Sequence, residues 1–148
     1  MVLAAGFLVF AAAQSGLAND RGSTQASLLE AVNAARVSHG LRSLRLDSSL
    51  ERAARAHTQE MLRDDYFGHG DFPGRMNAFH LRGALGENLA WGSGPYSRAS
   101  SIVQIWLTSA GHRANLLRPG FRHIGFGLAT GTFQGQSGAT VVTADFGS

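Results

Sequence analysis

The sequence of 148 residues contains no cysteine. Disulfides and thiolate metal sites are therefore excluded, and small-domain staples of either kind cannot hold the fold. Lysine is absent too, and all thirteen basic residues are arginine. A nucleotide-composition bias accounts for that more simply than a binding device. The arginines are spread along the chain and the net charge is only +3. A nucleic-acid footprint would cluster, so a nucleic-acid partner is excluded. Also missing are an H-E-x-x-H metal motif, a G-x-S-x-G nucleophile elbow, an internal repeat and a coiled-coil heptad. What is left is one domain, long enough to bury its own core.

Residues 1–18 are apolar and rich in alanine, with Leu3 to Ala13 as an h-region. Small residues at Gly16 and Ala18 suit cleavage before Asn19, with Ala11 and Ala13 as an alternative pair. No Lys or Arg precedes the run, which is unusual for such a segment, and the run is short for a membrane span. The reading is a signal peptide over 1–18 and a mature chain that is secreted or periplasmic, with no stable membrane span.

Apolar periodicity predicts a first helix from Ala26 to Ser38, opened by Ser27 and Glu30 at capping-box spacing. Leu28, Leu29, Val32 and Ala35 form its stripe, and Gly40 follows as a stop. Asn33 and Arg36 lie near that stripe and read most simply as a solvated face. Leu41, Leu44 and Leu46 are expected inward. A second helix starts at Ser48, again with Glu51 at capping-box spacing, and Leu50, Ala53, Ala54, His57 and Met61 form its stripe. His57 thus points inward as a structural histidine. Asp64 to Arg75 reads as a loop that presents His69 between Gly68 and Gly70, and Met76 to Gly83 as irregular chain anchored by Phe79. Gly86 to Trp91 suits a short strand. Ser97 or Ser100 would cap a third helix with Ile102, Val103, Trp106 and Ala110 on its buried side. Gly111 then reads as a left-handed stop that holds His112 just beyond. Arg122 to Ala129 alternates as a strand with Ile124, Phe126 and Leu128 on one face. Its other face carries His123, Gly125 and Gly127, as though backbone or ligand lies close there. Thr140 to Phe146 returns antiparallel. The plan is α+β, with helices covering an antiparallel sheet.

Glu87 sits among apolar neighbours, a poor place for an isolated carboxylate. It needs a partner, and His69 and His112 are the two candidates. Two imidazoles and one carboxylate can hold a divalent cation, with zinc the natural guess. They can equally form a structural polar cluster in which Glu87 accepts hydrogen bonds from both histidines.

Four ordered segments resemble the CAP superfamily of cysteine-rich secretory proteins, antigen 5 and pathogenesis-related proteins: Tyr66-Phe67-Gly68-His69, Gly86-Glu87-Asn88-Leu89-Ala90, Trp106 to Ser109 with Gly111 to Leu117, and Ile124 to Gly127. Their order and spacing are most similar to the compact bacterial branch, and place the domain over residues 26–148. The resemblance implies an α-β-α sandwich, a small antiparallel sheet covered by helices on both faces. It also implies a cleft lined by two histidines and two acids. His69, Glu87 and His112 fall on the two histidines and the first acid. Ser109 stands where the second acid is usual, so the tetrad is incomplete. Zinc or another divalent cation on His69 and His112 is a cofactor the resemblance allows.

Two function classes follow. One is a non-catalytic binding or interaction module whose cleft takes a lipid, a glycan or a cell-wall fragment; Tyr66, Phe67, Phe72, Trp91 and Tyr96 near the mouth favour it. The other is a metal-assisted, peptidase-like hydrolase in which Glu87 activates a bound water. A variant of the second uses Ser109 as nucleophile and His112 as base, with Gly111 interrupting the helix between them.

Overall fold

A computed structural model describes residues 24–148; the expected signal peptide over 1–18 lies outside the described residues. Helix α1 (24–38) is already formed at its first described residue, so Ser27 lies inside it rather than at its cap. Leu28 and Val32 are fully buried, as the stripe requires. After a two-residue strand β1 (Arg45–Leu46), helix α2 (Ser48–Asp64) begins. Its cap is Asp47, one residue before the Ser48 and Glu51 pair: Asp47 Oδ1 accepts from the amides of Ser49 and Leu50 at 2.8 and 2.9 Å. Leu44 is buried, but Leu46 is exposed on the edge strand, which corrects its inward placement.

The stretch read as a loop contains a helix, α3 (Phe72–Ala78). Asp71 caps it by accepting from the Gly74 amide at 2.9 Å, and Pro73 occupies its first turn. Both are start signals, since proline there gives up an amide that would have no partner. Met76, not Phe79, is its buried anchor. Strand β2 (Leu85–Gly92) and a 3-10 turn (Gly94–Ser97) lead into α4 (Ala99–Thr108). Neither Ser97 nor Ser100 caps α4; Arg98 stands at that position and makes no side-chain cap bond.

Helix α4 stops earlier than Gly111 suggested. Ser109 is extended (φ −97°, ψ 123°), and α5 (Ala110–Leu116) starts directly after it. Gly111 is in the first turn of α5 and is not among the positive-φ residues. His112 therefore rides on a helix instead of hanging past the end of one. Strands β3 (His123–Phe133) and β4 (Gln136–Gly147) close the chain as a hairpin.

The sheet order is β1-β3-β4-β2. β3 pairs antiparallel with β4 and β4 with β2, while β1 runs parallel to β3. The sheet is thus mixed, not wholly antiparallel. One face packs α1, α4 and α5 through Leu28, Val32, Ile102, Trp106 and Leu116 against Ile124, Phe126, Val142, Ala144 and Phe146. Trp106 also donates its indole N–H to the Leu89 carbonyl at 2.9 Å. The other face carries Gly125 and Gly127, and the close neighbour there is protein backbone. A Cβ at 125 would collide with the backbone of Leu50 and Glu51, and one at 127 with the Ala54 carbonyl. Small residues on β3 let α2 sit directly on the strand. Helices cover both faces, giving an α-β-α sandwich.

Two polar residues of α1 tie these layers together, which overturns the solvated-face reading. Asn33 accepts from the Leu44 amide at 2.7 Å and donates to its carbonyl at 3.0 Å. Arg36 is fully buried and donates to the carbonyls of Arg42, Leu116, Arg118 and Phe121. A guanidinium offers five donors in a fixed fork, and four carbonyls use them.

Candidate functional site

Glu87 projects from β2 on the side covered by α2, and its side chain is only 2% exposed. A buried carboxylate stays charged only if donors surround it. His69 Nδ1 donates to Oε1 at 2.7 Å, and Arg75 Nη2 donates to Oε2 at 2.5 Å. His69 is one of the two partners expected from the sequence. Arg75 was not foreseen as a partner. It lies on α3, is itself nearly buried, and also donates to the His69 carbonyl at 3.3 Å. One guanidinium thereby fixes both the carboxylate and the loop that bears the histidine. The Phe72 ring lies beneath it, 5.7 Å from the guanidinium carbon.

The loop between α2 and α3 is fixed at each end. Asp65 takes the left-handed conformation (φ 50°) and accepts two hydrogen bonds from Gln134 at the β3–β4 hairpin, one on its side chain and one on its carbonyl. His57, fully buried as expected, donates Nε2–H to the Gly68 carbonyl at 2.8 Å and lies 3.9 Å from Glu87 Oε1. Burial lowers the His57 pKa, outweighing the opposing pull of Glu87. His57 is therefore a neutral imidazole that props the loop, while His69 beyond it is 56% exposed at its side chain. Gly70 (φ 56°) fits where a side chain would press on the Tyr66 hydroxyl.

His112 reaches the same region by a different route. Asn88, fully buried on β2, donates to the His112 carbonyl at 2.9 Å. Asn115 donates to the Glu87 carbonyl and to Asn88 Oδ1, each at 3.1 Å. These two asparagines dock α5 onto β2. Burial lowers the His112 pKa, and the charge of His69 lowers it further, so the two imidazoles share one electrostatic space. Among the described residues, however, no hydrogen bond or ion pair joins His112 to Glu87. Glu87 thus lies between His69 and Arg75, not between His69 and His112. Ser109, at the α4–α5 junction, makes no capping bond, and no hydrogen bond links it to His112.

The five aromatics expected at the mouth divide. Phe67 and Tyr96 are exposed, whereas Tyr66, Phe72 and Trp91 are half-buried. Phe67 and Trp91 both set their rings edge-on to Phe133.

Among the described residues, no group of three or more His, Cys, Asp or Glu side chains forms a metal cage. Glu87 fits poorly as a metal ligand because it is buried behind His69 and ion-paired with Arg75. His69 and His112 remain as nitrogen donors. No described helix is long and apolar enough to cross a membrane.

Residues 29–146 match the model of the CAP: Cysteine-rich secretory protein family. The chain belongs to this family. The CAP domain is 37% identical over 106 residues to the uncharacterized protein YkwD of Bacillus subtilis (strain 168), a match spanning 68% of this chain and 40% of that protein. Its fold is similar to an extracellular protein containing an SCP domain from Bacillus anthracis, with a TM-score of 0.69 and 26% identity over 84% of this chain and 40% of that one. An outer surface protein from Borrelia burgdorferi shares the fold at a TM-score of 0.68 and 21% identity, over 81% of this chain and 88% of its own. The chain thus spans about two fifths of the length of these two Bacillus proteins.

Proposed function

We propose that this CAP domain is an exported, non-catalytic binding module whose groove, bordered by His69, Glu87, Ser109 and His112, takes a glycan or a cell-wall fragment. One observation carries the reading: Glu87 is buried, with only 2% of its side chain exposed, and its charge is held by His69 and Arg75. A general base must be free to accept a proton from water, and a nucleophile needs a base in reach. Glu87 lacks that freedom, and Ser109 has no hydrogen bond to His112. An exposed imidazole whose Nδ1 is pinned still offers Nε2 to hydroxyl and amide groups, which suits a sugar or peptide-sugar ligand. Export, argued from the apolar segment over 1–18, would bring the domain to where such ligands lie.

Calorimetric titration with soluble cell-wall fragments tests this. The expected result is saturable binding, weakened about tenfold by His69→Ala, with the circular dichroism spectrum unchanged. Turnover of a peptide or glycan panel that disappears in Glu87→Gln would overturn it in favour of hydrolysis.

A second reading adds a divalent cation to the same groove. It is supported by the shared electrostatic space of His69 and His112 and by the carboxylate behind His69, an arrangement that fixes the tautomer of metal-binding histidines. His69 and His112 would hold the ion, which when bound would supply Lewis acidity to a ligand oxygen. Zinc titration should then give one equivalent bound by the native chain and none by the His69→Ala, His112→Ala pair. Equal binding by both proteins removes this reading and leaves the first intact.

A further inference from the structure

We propose that Asp145 is the second acid of this site, a neutral carboxylic acid on β4 whose O–H donates to Glu87 and fixes that carboxylate behind His69 and Arg75. The geometry that points to it begins with the register. Asp145 stands directly opposite Glu87 across the β2–β4 ladder and opposite Gly125 across the β3–β4 ladder. It is fully buried, beneath the α2 backbone that presses on Gly125. Among the described residues, no N–H or O–H donor reaches either of its oxygens. As an anion it would be a buried charge without a partner, next to a second negative charge. With a proton it becomes a donor itself, and Glu87 is the acceptor in reach.

The groups around the pair decide which acid carries the proton. Glu87 has His69 and Arg75; Asp145 has neither. From α2, His57 is neutral and Glu51 pairs outward with Arg55; β3 sets Gly125 opposite, with His123 two residues along on the same face. Burial first, then the charge of Glu87 and the hydrogen bond between the two acids, raise the Asp145 pKa well above its ordinary value. Arg75 is the one opposing influence. Two facing carboxyls sharing one proton carry a single negative charge, which matches the single guanidinium. The family resemblance puts a second acid at the position of Ser109; this chain supplies one from the opposite side of Glu87. The positioning role rests on the reading of His69 and Glu87 as the wall that meets the ligand, but the protonation does not.

Infrared spectroscopy of protein labelled with 13C-aspartate tests the protonation directly, without any ligand. At neutral pH the expected spectrum has a protonated-carboxyl band from aspartate, lost in Asp145→Asn and on unfolding. A second measurement is urea unfolding at pH values from about 4 to about 8. The native state here holds a proton that the unfolded state releases above the ordinary aspartate pKa. Asp145 therefore contributes stability that is fullest at the acid end and is lost as pH rises. His57 and His112, whose pKa values burial lowers, act in the opposite sense. Relative to Asp145→Asn, the native chain should lose stability as pH rises. Absence of the aspartate band at neutral pH overturns the proposal, as does an identical pH slope in the two proteins. If Asp145→Asn does not fold, the band in the labelled native protein and its loss in urea decide alone.

Discussion

Glu87→Ala is expected to lower the unfolding free energy by about 3–5 kcal/mol, the range for removing one partner of a buried ion pair. The reason lies less in the lost attraction than in what is left behind. Arg75, with 8% of its side chain exposed, would keep its charge and retain only the His69 carbonyl at 3.3 Å. His69 would lose its Nδ1 acceptor, and the loop on which it sits would lose one of its ties to the sheet. One effect works the other way: Asp145 would no longer face a like charge. Glu87→Gln keeps the shape and one acceptor, so a smaller loss of about 1–3 kcal/mol is expected. The double change Glu87→Leu, Arg75→Met should recover much of the deficit, since apolar replacement of a whole buried pair is often close to neutral. Urea midpoints at constant m-value measure all three. A loss under about 1 kcal/mol for Glu87→Ala would mean that water reaches Arg75 and that the pair is not buried.

How much of this was legible in the chain depends on the range of the interaction. Local periodicity was sufficient for α1, α2, α4 and the two long strands, because each spans at least two periods of its pattern. It was sufficient for His57 too, which falls on the α2 stripe, and for the bare face of β3, where Gly125 and Gly127 admit the helix. Helix α3 escaped notice because seven residues hold barely two turns and its glycine-rich flanks resemble a loop. With α3 unseen, Arg75 was only the last residue of a loop, and the cation that Glu87 needs had no address. The α4–α5 break was placed at Gly111 because glycine is the usual stop, whereas Ser109 makes it with an ordinary extended backbone. Asp145 gave no signal of its own. An acid in an alternating strand reads as outward-facing until the register sets it against Glu87. The family resemblance supplied His69, Glu87 and His112 together, but local pattern does not reveal that Arg75 takes the place expected of His112 at the carboxylate.

Arg36 poses the same problem of range, and its removal is the second large effect. Its guanidinium ends 80 residues or more along the chain from three of the four carbonyls it serves, on Leu116, Arg118 and Phe121. No carboxylate is among its hydrogen-bond partners, so the C-terminal end of α5 and the turn after it supply the compensating negative potential. Burial and the nearby Arg122 both lower its pKa, yet a guanidinium stays protonated at any working pH. Arg36→Ala leaves four carbonyls without this donor and opens a cavity, so a loss of about 4 kcal/mol or more is expected. That is a large share of a small domain's total stability, and the variant is expected to lie near the limit of folding. Arg36→Lys is the sharper experiment. An ammonium keeps the charge but has three donors on one centre, and it cannot span carbonyls set by a planar fork. It should fold, lose about 2 kcal/mol, and free the end of α5 in particular. Hydrogen exchange should then quicken at residues 113–117 while α1 and the β3–β4 hairpin stay protected. Because His112 rides on α5, its imidazole resonance should broaden or shift in the same variant. Uniform loss of protection across the domain would instead make Arg36 a general core residue with no special hold on the helix that carries His112.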